Sequence, residues 1–238
     1  MSHGGPAGAS GRRPAGATDD LRPALIVQRP GLVPYEDGLA LQEELVSRRR
    51  AGAVPDTLVV LEHPHVITLG SSAAAEDVLV TPEDLARLGI GLFRVGRGGA
   101  ATYHGPGQLV AYPVLDLKPD RRDLHRYLRD LETVLLQVAA QLGVPAYRRE
   151  GLTGIWTDAG KLGAVGVRVS SQWITSHGVA LNVSADLGRF DSIVACGLPG
   201  ERVTSLEREL GTTLDMEEVV RVFVARFAEV FERAPVVV

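Results

Sequence analysis

The sequence predicts a single mixed α/β domain, one mixed sheet with flanking helices, and three observations carry that expectation. Short apolar or alternating runs interleave with helical periodicities from residue 21 onward. Turn residues punctuate the runs, and no linker divides residues 21–238, which are therefore read as one domain. A chain of 238 residues with 45% hydrophobic and 23% charged content also supplies an ordinary globular core. Residues 1–20 are rich in Gly, Ala, Ser and Pro and lack the apolar segment of a secretory signal, so they are expected to form a disordered tail.

Taken in order, Ala24 to Gln28 and Thr57 to Leu61 read as strands, separated by a helix from about Asp37 to Arg49 whose Leu41 and Leu45 share a face. Thr81-Pro-Glu-Asp84 is a helix start written in residues, with an N-cap Thr, Pro at the first helical position and Gly89 to stop it. Gly91 to Val95 and Leu109 to Val114 look like strands flanking a glycine-rich loop. From Asp123 to Leu142, helical spacing gathers Leu124, Tyr127, Leu128, Leu131, Val134, Leu135 and Val138 on one face and leaves the other charged. Gly154 to Thr157 and Lys161 to Val169 form a hairpin about Asp158-Ala-Gly160, and Trp173 to Val183 is the next strand. A last helix is expected from about Asp215 to Arg233, with Val219, Val220, Phe223, Phe227, Val230 and Phe231 buried.

Composition excludes several classes of function. Apolar runs such as Thr57 to Leu61 and Pro235 to Val238 fall far short of the ~20 residues that span a bilayer, so no membrane role is expected. A net charge of -4 argues against a dedicated nucleic-acid binder, which needs a basic surface. One cysteine and no export signal point to a reducing cytoplasm. The six histidines show no His-x-x-x-His and there is no Cys pair, so no metal site is expected.

Three features could carry chemistry. Arg97-Gly-Gly-Ala-Ala-Thr-Tyr-His104-Gly-Pro-Gly-Gln108 packs glycines and a proline so that backbone can approach a ligand closely; it reads equally as a tight structural turn, and it lacks the Gly-Lys-Ser/Thr ending of a phosphate loop. His104 and His177 each precede a glycine and serve either as catalytic or as satisfied structural histidines. Cys196, the one cysteine, is in Ser192 to Gly200. Lys161 is one of two lysines, because all the other cationic residues among 25 Lys and Arg are Arg. Arg cannot give up its proton, whereas Lys can, so a lysine in such a chain hints at proton chemistry. A lysine ammonium beside Cys196 would lower the thiol pKa from ~8.5 towards neutral and supply a nucleophilic thiolate; the alternative is a cysteine buried as a small hydrophobe.

As a set, Arg97-Gly-Gly with Thr102-Tyr-His-Gly-Pro-Gly-Gln-Leu-Val-Ala-Tyr-Pro113, Gly160-Lys-Leu-Gly-Ala-Val-Gly166, His177-Gly-Val-Ala-Leu-Asn-Val183 and Ala195-Cys-Gly197 resembles the octanoyltransferases of lipoate biosynthesis in order and spacing. Ser71-Ser72 stands where that family often carries Arg, and Gly163 where Ala is usual. The resemblance implies the fold of biotin and lipoate protein ligases and an octanoyltransferase catalytic domain over residues 21–238. It implies octanoyl transfer from octanoyl-acyl carrier protein to a target lysine on lipoyl domains of oxo-acid dehydrogenase complexes and on the glycine cleavage H protein, with no cofactor. Carried over, Cys196 forms the acyl-thioester and Lys161 lowers its pKa and acts as acid and base. Arg97, Gly98, Gly99, Ala100, Ala101, Thr102, Tyr103 and His104, then Ala164, Val165 and Gly166, and His177, Gly178 and Val179 match the segments that line the family's acyl site. Leu162, Val165, Val179 and Leu181 are candidates to hold the eight-carbon chain. Arg48 to Arg50, Arg121 with Arg122, and Arg148 with Arg149 are candidate docking patches for an acidic carrier. Two rivals remain, an ATP-dependent lipoate or biotin ligase, which needs no cysteine nucleophile, and a non-catalytic acyl- or lipoyl-domain-binding module with an inert Cys196.

Overall fold

A computed structural model describes Met1, residues 22–194, Gly197 and residues 200–238. Most of the predicted tail, and Cys196 itself, lie outside the described residues. The larger sheet has seven strands in the order β10-β1-β2-β6-β9-β8-β7. These are β1 (Ala24–Leu32), β2 (Asp56–Glu62), β6 (Gln108–Val114), β7 (Gly154–Thr157), β8 (Gly160–Val169), β9 (Thr175–Asn182) and β10 (Ala234–Val237). The strand β1 runs parallel to both β10 and β2, while the remaining pairs are antiparallel, so the predicted mixed sheet is found. A smaller sheet of β4 (Gly91–Arg94), β3 (Val66–Leu69) and β5 (Ala101–His104) branches off between β2 and β6.

The helices cover both faces of the large sheet. On one face, α3 (Leu124–Gln141) and α5 (Met216–Val230) pack Leu131, Leu135, Val138, Phe223 and Phe227 against Leu58, Leu109, Leu162 and Leu181. On the other, α1 (Tyr35–Arg50) sets Leu45 near Val59, Val110, Tyr112 and Ala180. Each such side chain, fully buried, contributes about 1.5–3 kcal/mol before entropy is charged against it. Among the described residues no helix is long and apolar enough to cross a membrane.

The short helix α2 (Pro82–Leu88) follows its code, since Thr81 Oγ1 accepts the Asp84 N–H at 3.1 Å and Gly89 closes the helix at φ 65°. The hairpin of β7 and β8 closes on Thr157 opposite Gly160, as the turn residues predicted.

Other expectations are corrected. Trp173 does not begin a strand: it occupies a turn at φ 63°, and β9 starts at Thr175. Leu124, placed on the apolar stripe of α3, is 42% exposed, and the stripe takes in Glu132 at its edge, which is buried. The last helix stops at Val230 instead of reaching Arg233. Glu232 turns left-handed at φ 54°, and Arg233 bonds Asp56 at 2.9 Å and Asp120 at 2.8 Å, which lays β10 beside β1 as an unforeseen edge strand. The glycine-rich loop likewise contains β5, and the two strands said to flank it belong to different sheets.

Candidate active site

Lys161 opens β8, and its backbone is clamped from outside the hairpin. Its N–H donates to Arg202 O at 2.8 Å and its C=O accepts from Thr204 N at 3.0 Å. Gly160, at φ 151°, permits this because a Cβ there would fall 2.5 Å from Arg202 O. The Lys161 side chain, 7% exposed, donates from Nζ to Thr153 O at 3.1 Å and stands 4.6 Å from the centre of the Trp156 ring, a cation–π distance.

Cys196 lies outside the described residues, but its flanks are described. Upstream, Ile193 bridges to Val78 and the Val194 N–H donates to Asp77 O at 2.8 Å. Downstream, a Cβ on Gly197 would lie 3.2 Å from Ala100 Cβ, and residues 202–204 run alongside Lys161. The described flanks of Cys196 are thus bonded upstream to Asp77 and Val78 and downstream to Lys161, with Gly197 close to Ala100 of the glycine-rich loop.

Arg97 holds that loop from beneath. Its Nη2 donates to Thr68 O at 2.6 Å and to Thr68 Oγ1 at 2.8 Å, and its Nη1 donates to Gly98 O at 3.0 Å. The Gly98 N–H bonds Val167 O at 2.9 Å, while the Ser71 and Ser72 amides, at the position where the resembling family often has Arg, bond Arg97 O and Gly99 O. The loop, β8 and β9 together border a cavity of about 200 Å³.

Of the residues predicted to line an acyl site, Arg97, Gly98, Gly99, Ala100, Ala101, Thr102, His104, Ala164, Val165, Gly166, His177, Gly178 and Val179 border this cavity, as does Lys161. Tyr103 does not, because on β5 its ring turns into the satellite core against Phe190 and its hydroxyl meets His65 Nδ1 at 2.6 Å. Leu162 and Leu181 are also placed elsewhere, in the core beneath α3, and Val165 and Val179 pack with that same core. The alanines directly opposite each other, Ala164 and Ala180, border the cavity together with Val165 and Val179. Sequence reasoning also missed Tyr35, Val110, Tyr112, Leu152, Thr153 and Trp156 on its walls.

Burial holds His63, His104 and His177 below the ordinary histidine range. Gln108 Nε2 donates to Asn182 Oδ1 at 2.8 Å, which leaves Gln108 Oε1 to accept from His104 Nδ1 at 2.7 Å. Asn182 Nδ2 then bonds Thr204 O at 3.0 Å, so the chain from His104 ends on the residue that clamps Lys161. Burial above all, then the neighbouring His63, pushes His104 down to about 3. His63 donates through Nδ1 to Val33 O at 2.7 Å and accepts the Tyr112 hydroxyl at Nε2, also at 2.7 Å. His177 sits at φ 55°, a left-handed conformation uncommon for a residue with a side chain, and its N–H donates to Gln42 Oε1 at 2.7 Å. Beside it, any Cβ on Gly178 would overlap the Ala111 carbonyl oxygen, so the kink brings β9 close against β6. Burial, then Arg97 and Arg168, lowers His177 to about 4, while burial raises Tyr35 to about 12.

A pH dependence of stability follows. In the unfolded chain His177 binds a proton near pH 6.5, but in the folded one only near 4. Between those values the unfolded state holds more protons, so stability falls as pH falls. The His177 share is roughly 3 kcal/mol across that window. Thermal unfolding followed from pH 7 to pH 4 should show the midpoint dropping, and His177→Asn, which tolerates the left-handed backbone, should flatten the fall; an unchanged slope in that variant would remove His177 from the account.

Five of the seven arginines in the clusters proposed for docking meet the chain's own carboxylates. Arg48 pairs with Glu44, Arg49 with Asp56, Arg121 with Asp120 and Asp130, Arg148 with Glu132 and Arg149 with Glu201. Arg122 lies over the Trp173 ring. A carrier would have to compete with these pairs, each of them worth little where it is exposed.

Residues 34–228 match the family described as lipoyl protein ligase A/B catalytic domain. The octanoyltransferase of Rubrobacter xylanophilus is 50% identical over 214 residues, which make up 89% of this chain and 96% of that protein. A bipartite lipoate protein ligase from Thermoplasma acidophilum, studied with its E2 lipoyl domain, has the same fold at a TM-score of 0.67 and 18% identity, covering 91% of this chain and 87% of that one. The biotin protein ligase of Aquifex aeolicus, in complex with biotin and ATP, aligns at a TM-score of 0.53 and 15% identity over 88% of this chain and 70% of that one. The last two likenesses concern the fold alone.

Proposed function

Because this chain belongs to the lipoyl protein ligase A/B catalytic domain family and its relative of 50% identity is an octanoyltransferase, we propose that it is an acyltransferase that moves octanoyl from octanoyl-acyl carrier protein to the target lysine of lipoyl domains. The observation that carries the reading is the placement of Lys161: buried at the wall of the cavity, with its backbone bonded to the segment that follows Cys196.

In the first half-reaction the Cys196 thiolate, favoured by the nearby ammonium of Lys161, attacks the donor thioester carbonyl. The new C–S bond replaces the old one, the carrier thiol departs with the proton that Cys196 gave up, and one thioester has become another at nearly equal energy. In the second, Lys161 in its neutral form accepts the proton of the incoming lysine ammonium. The freed amine attacks the Cys196 thioester, and the cysteine leaves as an amide forms downhill. Neither step needs a nucleotide. The recipients are the lipoyl domains of oxo-acid dehydrogenase complexes and the glycine cleavage H protein.

The reading is tested by mixing the full chain with octanoyl-carrier protein and weighing the intact protein, which should carry one octanoyl group. Exchange of labelled pyrophosphate into ATP should be absent; exchange without acylation by the carrier would make the chain a ligase.

Chain length offers a separate check. Ala164 and Ala180 face each other across β8 and β9 at the cavity wall, so Ala180→Leu would occupy room that an acyl chain uses. Each methylene denied burial costs about 0.8 kcal/mol, close to fourfold in rate. Octanoyl transfer by Ala180→Leu should fall roughly tenfold relative to hexanoyl transfer in a competition assay, and an unchanged ratio would place the chain elsewhere.

A further inference from the structure

We propose that Glu132 is a positioning residue for Lys161, acting through the peptide group that joins Thr153 to Gly154. This rests on the role given to Lys161 above. Glu132 is on α3 at the edge of its apolar stripe, four residues after Leu128 and three before Leu135, and is only 1% exposed. Its Oε1 accepts the Gly154 N–H at 3.0 Å. Its Oε2 takes Arg129 Nη1 at 2.7 Å and Arg148 Nε at 2.8 Å. The carbonyl of that same peptide, Thr153 O, accepts from Lys161 Nζ at 3.1 Å.

A carboxylate on the N–H side and an amine nitrogen donating on the C=O side polarise one peptide group in the same sense, so each hydrogen bond strengthens the other. The approach is close because residue 154 has no side chain: a Cβ there would lie 2.9 Å from Lys161 Cε. Gly154 also holds φ at 132°, which favours glycine, so the peptide is turned with its N–H towards α3 and its preceding carbonyl towards Lys161.

Pairing with arginine alone does not account for the burial of Glu132. The side chains of Arg129 and Arg148 are 54% and 35% exposed and could meet a carboxylate at the surface. Burying a carboxylate is costly unless its oxygens are satisfied, and what depth adds here is the Gly154 amide. Arg149 and Glu201, which meet the Trp156 indole as Lys161 does, pair with each other, Arg149 over the ring and Glu201 at its N–H.

The experiment uses the full chain and reads the iodoacetamide reaction rate of Cys196, its one cysteine, near neutral pH, together with kcat and KM for a lipoyl-domain acceptor. Glu132→Gln should slow alkylation and lower kcat roughly fivefold with KM unchanged, and Glu132→Asp, which keeps the charge, should recover part of the loss. In a Lys161→Met background, Glu132→Gln should add nothing further, since its effect runs through the lysine. Equal slowing with and without Lys161, or wild-type rates in Glu132→Gln, would overturn the proposal. A normal alkylation rate in Lys161→Met would remove the role of Lys161 and this inference with it, whereas slowing by Lys161→Met alone sinks only the part given to Glu132. If circular dichroism finds Glu132→Gln unfolded, the same comparison made with Glu132→Asp in both backgrounds decides the matter.

Discussion

Replacing the nucleophile, Cys196→Ala, is expected to abolish the octanoyl adduct and to lower transfer to lipoyl domains by about 10³-fold or more, because an alanine leaves no group to carry the acyl chain between donor and acceptor. The variant should bind octanoate as the parent does, since the cavity walls from Arg97 to Thr102, at His104 and from Ala164 to Gly166 are untouched. Binding without turnover would therefore separate loss of chemistry from loss of fold. Intact-mass measurement after mixing with octanoyl-carrier protein decides it. An adduct formed in undiminished yield would place the nucleophile on another residue, and undiminished transfer without any adduct would mean that the lysine of the lipoyl domain attacks the carrier thioester directly.

What the sequence made legible, and what it hid, follows from the range of the interactions. The start and stop of α2 could be read because every part of the signal, from Thr81 to Gly89, is local. The edge strand β10 could not, because its place is set by Arg233 bonding Asp56 and Asp120, which are far away along the chain. The partners of Glu132 were hidden for the same reason: its place beside the apolar stripe of α3 is local, but the approach of Arg148 and Gly154, which makes burial of a carboxylate tolerable, is not. Alternation would set Leu162 and Ala164 on one face of β8, but the pairing of β7 with β8 shifts register between Ile155 and Trp156, so Leu162 turns into the core while Ala164, with Ala180 opposite, borders the cavity. The histidine of the His-Gly-Pro-Gly-Gln motif was visible as a motif. That its Gln108 passes a hydrogen-bond chain through Asn182 to the backbone beside Lys161 depends on strands β6 and β9 pairing across the sheet.

The second large effect is expected at Lys161, and it turns on the difference between supplying a charge and accepting a proton. Arginine serves at every cationic position here except Lys118 and Lys161, so a site that required only positive charge should tolerate Lys161→Arg. We expect it not to. The surroundings are close, with Thr153 O at 3.1 Å from Nζ, the Trp156 ring centre at 4.6 Å and a Gly154 whose absent Cβ would touch Cε. A planar guanidinium fits there less well than a compact ammonium. Insofar as it fits, its charge still favours the Cys196 thiolate, so some acyl-enzyme should form. The second half-reaction suffers more, because the incoming lysine must lose a proton and a guanidinium cannot take it at physiological pH. Transfer from the octanoyl-enzyme should fall by roughly 10²–10⁴-fold, the usual worth of a positioned general base, and the thioester should accumulate on Cys196. Single-turnover experiments that time the two half-reactions separately check this. Near wild-type transfer from preformed octanoyl-enzyme in the Lys161→Arg variant would reduce Lys161 to a fixed charge and assign the proton to another acceptor.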